Sequence, residues 1–252
     1  MNSKRTLKNM LNKKMKQFLQ DKRNVVIAAL AALTIYLWLE NGTRALISVF
    51  AGAIFAAVLD VLLNWKILRK AIVPKSGIIT GIIVSGVMGF QTDWRIMFFA
   101  CALAIISKHL LRVNGKHIFN PANLGLFAVV VFGQPLTWQI EANSTIIIIV
   151  GLYLAYSLKK IPHIAGFGLF FCVLFGLSGF NPSGLVSWFF VFIMLIEPKT
   201  SGFGNLRGLA FGGIAAVGSF LVYSFIPRID LYVGGLFLAN LFNPLLDKIK
   251  EY

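Results

Sequence analysis

Runs of apolar residues, separated by short polar or charged stretches, extend over most of the chain. They define ten segments, at residues 24–39, 44–65, 76–90, 94–112, 121–133, 144–158, 161–178, 184–196, 206–226 and 230–246. Long apolar runs are typical of membrane-spanning helices, whereas a β-barrel would show short segments of alternating polarity. The third, fifth and eighth segments are short, so we expect broken or re-entrant helices there. The pattern predicts an all-α polytopic membrane protein with about ten transmembrane helices.

Composition and charge agree with this prediction and give it an orientation. Of the 252 residues, 58% are hydrophobic and 13% are charged, whereas soluble domains carry about 25% charged residues. With the N-terminus inside, ten crossings place 21 of the 24 Lys and Arg residues inside and only Arg44, Arg95 and Arg228 outside. This asymmetry predicts cytoplasmic termini in the cell inner membrane. The net charge of +15 then belongs to the loops, so we expect no nucleic-acid partner.

The chain divides into a basic N-terminal segment, residues 1–23, and a single transmembrane domain, residues 24–248. Residues 1–23 hold eight Lys or Arg residues and one acid. The segment resembles a basic amphipathic helix on the cytoplasmic membrane surface, and a disordered basic tail is the alternative. It leads into a full span without a small-residue cleavage site, so we expect no cleavable signal peptide. Its apolar residues recur at helical spacing: Leu7, Met10, Leu11, Met15, Phe18 and Leu19.

An even number of crossings allows two halves of five helices, residues 24–133 and 144–248. Because five is odd, the second half would be inverted relative to the first. Pro74–Gly77 and Asn181–Gly184 begin the third and eighth segments with similar residues, one inside and the other outside. We therefore expect two inverted five-helix repeats. A competing match between Asn120-Pro121 and Asn243-Pro244 fits less well, because the first pair opens a helix and the second ends one.

The stretch from Lys116 to Asn123 is the first candidate for a functional site. A basic turn runs into Asn120-Pro121 and then into the apolar run 124–132. Proline suits the first turn of a helix, and Asn120 is a natural N-cap. The helix has only about 12 apolar residues, too few for a full span. Its N-terminal amides would suit an anionic or polar ligand, although a plain capped helix start explains the same pattern.

Two acidic residues in or beside apolar runs are candidates for an ion pathway. Glu197 ends the eighth segment, directly before Pro198 and the polar residues Lys199, Thr200 and Ser201. Carboxylates at such positions are costly and often mark ion or proton pathways. An interfacial ion pair of Glu197 with Lys199 or Arg207 is the alternative. Asp60 lies about one turn from the cytoplasmic end of the second segment, where it could extend to the interface or pair with Lys66.

The remaining polar and small residues have simpler structural explanations. Asn240 and Asn243 are expected to form interhelical hydrogen bonds. The three His residues are scattered and predict no metal site, and the two Cys residues are expected to be unpaired. No hydrolase triad, P-loop or nicotinamide-binding loop is present in the sequence. Close helix packing is expected at Gly77, Gly81, Gly86, Gly208, Gly212 and Gly213.

Three of these motifs together resemble the RnfD/NqrB family, the membrane subunits of the Rnf complex and of the sodium-pumping NADH:quinone oxidoreductase. They are Ser76-Gly77-Ile78-Ile79-Thr80-Gly81, Lys116 with Phe119-Asn120-Pro121-Ala122, and Glu197-Pro198-Lys199-Thr200-Ser201. The resemblance covers roughly residues 24 to 248. It implies ten helices in two inverted repeats, a fold shared with urea channels. It also implies flavin cofactors and electron transfer across the membrane, coupled to Na⁺ or H⁺ movement.

The chain departs from the family in one respect that concerns the cofactor. Members with covalent FMN attach it to a Thr in a Ser-Gly-Ala-Thr motif, in the extracytoplasmic loop after the Phe-Asn-Pro-Ala helix. Here that loop is short, and neither Thr137 nor Thr145 has the right neighbours. We therefore expect FMN or riboflavin to be bound non-covalently, if at all. The expected contacts are Lys116, Asn120, Pro121, Asn123, Lys199, Thr200 and Ser201.

The sequence therefore favours a subunit that relays electrons through a flavin and is not catalytic alone. It has no nicotinamide site, so it would need other subunits of an electron-transport complex to load and unload electrons. A channel or transporter for a small solute or vitamin on the same fold is the alternative, and a role in assembly without a cofactor is a third possibility.

Overall fold

A computed structural model describes residues 20–69, 73–113, 116–141, 143–197, 200 and 204–249; for Leu68, Val113 and Lys116 it describes the backbone alone. The helices are α1 (Lys22–Asn41), α2 (Thr43–Leu63), α3 (Lys75–Met88), α4 (Trp94–Leu110), α5 (Pro121–Val131), α6 (Ser144–Ser157), α7 (Ile161–Leu177), α8 (Pro182–Leu185), α9 (Asn205–Phe225) and α10 (Leu231–Leu246). Two π-helical turns span Asn64–Leu68 and Phe190–Met194, and a 3₁₀ turn spans Gln139–Glu141. Two short antiparallel strands, β1 (Arg112–Val113) and β2 (Lys116–His117), join α4 to α5.

The helical architecture that the sequence predicts is confirmed. Nine of the ten apolar segments coincide with a single helix. The hairpin of β1 and β2 was not predicted, because two-residue strands leave no periodic signal. Most of the basic segment 1–23 lies outside the described residues. At its end, the Asp21 side chain caps α1 by accepting a hydrogen bond from the backbone of Arg23.

Among the described residues, three helices are long and apolar enough to cross a membrane: α1, α2 extended to Ile67, and α9. The outward faces of the helices are also apolar. Along one face of α2, the side chains of Ile47, Phe50, Ile54 and Val58 are each more than half exposed. A soluble protein rarely exposes a continuous apolar stripe, whereas lipid tails would cover it. The chain therefore has the character of a membrane protein.

Glycines allow the helices to approach closely, as the sequence predicts. A Cβ atom added at Gly81 of α3 would overlap the backbone carbonyl of Gly52 on α2. One added at Gly212 of α9 would overlap the backbone carbonyl of His163 on α7. Such contacts are typical of membrane helices, where small residues allow backbones to touch. An added Cβ atom would also meet atoms of neighbouring residues at the other predicted glycines, namely Gly77, Gly86, Gly208 and Gly213.

The eighth apolar segment is broken, which is the largest departure from a simple helix. The four-residue helix α8 ends at Leu185, and Val186 is extended with φ −68° and ψ 127°. A helical turn resumes at Trp188 and leads into the π-helical turn Phe190–Met194. The sequence marked this segment as short, and the break explains why.

The helices of the two predicted halves contact each other at two equivalent places. The first helix of each half, α1 and α6, pack together, and so do the fifth helices, α5 and α10. Within each half the second and fourth helices also pack together, α2 with α4 and α7 with α9. The start of α5 contacts the second part of the broken segment through a hydrogen bond from Asn120 to the backbone of Met194.

Candidate functional site

The start of α5 is built as the sequence predicts. Asn120 is the N-cap, and its Oδ1 atom accepts a hydrogen bond from the backbone N–H of Asn123 at 3.1 Å. Pro121 occupies the first helical position. The Asn120 Nδ2 atom donates to the backbone carbonyl of Met194 at 3.1 Å, across 74 residues of sequence. One buried side chain therefore begins α5 and fixes it to the broken segment.

A cavity lies where these two elements meet. It is a narrow cavity with a free volume of about 80 Å³, and it is partly open to solvent. Asn120, Pro121 and Glu197 line it, so the structure brings three of the predicted site residues to one space. Ser76 and Thr80 of α3 add hydroxyl groups. The remaining walls are mostly apolar and include Ile79, Ile83, Leu154, Phe192, Ile193 and Ile196.

Glu197 contributes the carboxylate of this cavity. Its Oε2 atom accepts a hydrogen bond from Thr200 Oγ1 at 3.0 Å. Lys160, which is fully buried, is close enough to Glu197 for the carboxylate to favour its charged form. Burial has the larger effect and lowers the pKa of Lys160 to about 7. Arg207, one of the partners expected for Glu197, forms hydrogen bonds with the backbone carbonyl of Ile249.

Basic side chains of α1 form the rim of the cavity. Lys22 and Arg23 line it, and Lys22 Nζ donates to Ser157 Oγ at 2.5 Å. Arg23 and Lys75 both pair with Asp21, at 3.1 Å and 2.8 Å. These hydrogen bonds hold the pKa of the Asp21 carboxyl well below its usual range. Two cations, Lys22 and Arg23, thus line the rim of the cavity, which favours a ligand with an anionic group.

Another predicted contact, Asn123, has a different role. Asn123 Nδ2 donates to the backbone carbonyl of Val233 on α10 at 3.0 Å, so Asn123 holds two helices together and does not line the cavity. Lys199 and Ser201 lie outside the described residues. The backbone of Lys116 lies in β2, and its side chain is not described.

The interfacial position and the Lys66 partner expected for Asp60 are wrong, whereas its place on an ion pathway stays a prediction. Its side chain is fully buried, so it does not extend to the interface, and its partners belong mainly to α4 rather than being Lys66. Asp60 Oδ1 accepts from Lys108 Nζ at 2.6 Å and from Asn64 Nδ2 at 2.9 Å, and lies 3.3 Å from His109 Nε2. Sequence spacing missed the pairing because Lys108 lies 48 residues away.

Sequence reasoning also missed a second polar group, around Glu141 in the 3₁₀ turn. Its Oε1 atom accepts from the backbone N–H groups of Trp188 and Phe189, at 2.5 Å and 3.3 Å. Its Oε2 atom lies 2.6 Å from Ser187 Oγ. Glu141 therefore caps the helical turn that resumes after the break. A single acid in a short loop gives no sequence signal for this role.

Asn240 and Asn243 of α10 form hydrogen bonds that hold the structure together, and so does Thr137 in the loop before the 3₁₀ turn. Asn243 Nδ2 donates to Asn240 Oδ1 and to the backbone carbonyl of Ile118, both at 3.2 Å. Thr137 Oγ1 donates to the backbone carbonyl of Met88 at 3.0 Å. Among the described residues, no three His, Cys, Asp or Glu side chains are grouped as metal ligands would be.

No family model matches this chain, and no curated protein matches it significantly.

Proposed function

We propose that this protein is a membrane subunit that relays electrons through a non-covalently bound flavin, as the RnfD/NqrB resemblance implies. The observation that carries the proposal is the cavity between the start of α5 and the broken segment. It joins all three resembling motifs, because Ser76, Asn120 and Glu197 line it together.

The residues of the cavity suit FMN or riboflavin in polarity and charge. Its free volume of about 80 Å³ is below the range of about 300–1,000 Å³ that is typical of small-molecule sites, so the proposal requires the walls to move apart when a flavin enters. Aliphatic walls and Phe192 suit a flat ring system, while Asn120, Thr80 and Ser76 offer polar contacts at its edge. Lys22 and Arg23 would attract a phosphate at the rim. A flavin, when bound, supplies one-electron and two-electron transfer.

We further propose ten crossings in two inverted five-helix repeats, with both termini cytoplasmic in the inner membrane. The distribution of Lys and Arg residues supports the orientation. The contacts of α1 with α6 and of α5 with α10 support two-fold pseudosymmetry, because equivalent helices meet each other only near such an axis. The break in the eighth segment beside the short α5 resembles the discontinuous helices of inverted-repeat transporters.

Electron donors and acceptors would be other subunits of an electron-transport complex. Coupling to Na⁺ or H⁺ would involve Glu197, the carboxylate of the cavity, and the buried Asp60 is the weaker candidate. Both carboxylates lie near the predicted cytoplasmic ends of their segments.

Flavin content of the purified protein tests this proposal. We expect yellow absorbance that leaves the chain on denaturation, because the covalent motif is missing. Ile83→Trp would fill the cavity and should lower the flavin-to-protein ratio at least several-fold. Ile54→Trp places the same side chain on the exposed face of α2 and should leave the ratio unchanged. A colourless preparation that is folded, or equal loss in both variants, would contradict the flavin site.

A channel or transporter for a small solute remains the second candidate, favoured by the broken eighth segment. It predicts uptake of a neutral solute into liposomes that hold a colourless preparation. Ile83→Trp should abolish that uptake, whereas electron transfer to an acceptor would be missing in every variant.

A further inference from the structure

The first turn of α1, residues 22–25, forms one side of the narrow cavity between the start of α5 and the broken segment. Lys22 and Arg23 of this turn line the cavity, together with Val26. The free volume of the cavity is only about 80 Å³, so a larger molecule can enter only if one of the walls moves. The contacts that hold each wall in place indicate which wall that is.

The walls formed by α5 and the broken segment are firmly held. Asn120 joins them through its hydrogen bond to the backbone carbonyl of Met194. Asn123 connects α5 to α10, and Glu141 accepts a hydrogen bond from the backbone of the broken segment at Trp188. Asn120 and Asn123 are buried, so breaking their hydrogen bonds would leave polar groups without partners away from water.

The walls formed by α3 and α6 are also fixed by packing. Gly81 of α3 lies so close to the backbone of Gly52 on α2 that a Cβ atom would not fit between them. Every residue of α3 from Thr80 to Met88 is buried. On α6, the wall residues Leu154 and Leu158 are buried as well. A closely packed helix cannot move without disturbing several neighbours.

The first turn of α1 differs from these walls in its burial. Lys22, Arg23 and Asn24 are exposed or half-buried, and Val25 is the first buried side chain of the helix. Farther along α1, core residues such as Leu30 hold the helix in place. The cost of local opening depends on the buried contacts that are lost. The end of α1 can therefore move away from its neighbours while the rest of the helix stays packed.

Two polar contacts connect this turn to the neighbouring walls. Lys75, the first residue of α3, donates to Asp21 Oδ2 at 2.8 Å, and both side chains are more than a quarter exposed. Lys22 Nζ donates to Ser157 Oγ at the end of α6, at 2.5 Å. Polar contacts near the surface contribute little to stability, and ion pairs there weaken in salt. We propose that the first turn of α1 is a gate to the cavity, which these two contacts hold closed.

The gate regulates access to the same cavity as the proposed flavin site, and it rests on the proposed function only for the identity of the molecule that enters. It supplies the wall movement that a flavin would need. Thiol labelling tests the gate without any flavin, so the two proposals can fail separately.

Labelling of a cysteine inside the cavity measures how often the gate opens. Thr80→Cys places a thiol at a buried position on the cavity wall, in a background that carries Cys101→Ala and Cys172→Ala. A neutral maleimide should react slowly with this protein in detergent, because it reaches the thiol only while the gate is open. Asp21→Asn removes the charge that holds Lys75 but keeps a good N-cap, and should raise the labelling rate up to about fivefold.

A second variant and salt provide independent checks. Ser157→Ala removes the other contact, so the double variant with Asp21→Asn should label up to about 25-fold faster. Raising the salt concentration should speed labelling of the Thr80→Cys protein, and should have less effect when Asp21→Asn is also present. Asp93→Asn is the matched control, because Asp93 caps α4 as Asp21 caps α1, by accepting from the backbone two residues on. It should leave the rate unchanged.

The unfolding temperature separates opening of the gate from general loosening of the protein. It should change little in Asp21→Asn and Ser157→Ala, because neither residue is buried. The proposal is overturned if the double variant labels no faster than its parent, if Asp93→Asn speeds labelling as much, or if faster labelling comes with a large fall in unfolding temperature. It is also overturned if the parent reacts as fast as an exposed cysteine introduced by Gln134→Cys.

Discussion

Asp60 shows how costly a single buried side chain can be in this protein. It has no exposed surface, and one of its oxygens is shared among Lys108, Asn64 and His109. Removing one partner of a buried ion pair leaves the other charge uncompensated in a medium of low polarity. The ion pair therefore affects the free energy of unfolding mainly when one of its partners is removed.

Asp60→Asn should destabilise the protein by about 3–5 kcal/mol, because Lys108 would be left buried without its anion. Thermal unfolding in detergent measures the loss. Asp93→Asn is the matched control, because Asp93 caps α4 at the surface and Asn is an equally good cap. The double variant Asp60→Asn with Lys108→Met should recover part of the stability. Equal effects at Asp60 and Asp93 would show that the buried pair has no special role.

At the scale of single residues, the sequence predicts the role of a side chain when its partners lie close to it in the sequence. The cap at Asn120 and the proline at position 121 were predicted because capping depends on residues within one turn. The α4 partners of Asp60, which are Lys108 and His109, and the partners of Glu141 lie 46 to 49 residues away. No local pattern carries that information, since the pairing depends on which helices become neighbours.

At the scale of elements, the apolar runs predicted the positions of the helices but not the structure of the loops. Apolar runs predicted α1 to α7, α9 and α10, because membrane helices must be apolar along their length. The loop at residues 137–141 and the hairpin of β1 and β2 depend on tertiary contacts instead. The break at Val186 was expected only from the shortness of the segment.

The contact between α2 and α3 depends on glycine and can be tested there. Gly81→Ala would force the two helices apart, because the added Cβ atom meets the backbone of Gly52. We expect a loss of about 1–3 kcal/mol, typical of overpacking, measured as a lower unfolding temperature. Gly168→Ala on α7 is the control, since no atom lies within 4 Å of the added Cβ there. That variant should be neutral or slightly stabilising.

At the scale of the whole molecule, charge predicts which side of the membrane each loop occupies. A reporter fused after Tyr252 should give a cytoplasmic signal, and one inserted after Gln134 should give an external signal. Enzymatic reporters that are active on only one side of the membrane distinguish the two. An external signal after Tyr252 would mean an odd number of crossings and would exclude two inverted halves of five.

The shortness of α5 has an electrical consequence for the proposed arrangement. Its 11 residues span about 16 Å at 1.5 Å per residue, roughly half of the hydrocarbon layer of about 30 Å. A charge that moves along the whole of α5 would therefore cross only about half of the membrane potential, about 1.2 kcal/mol per 100 mV.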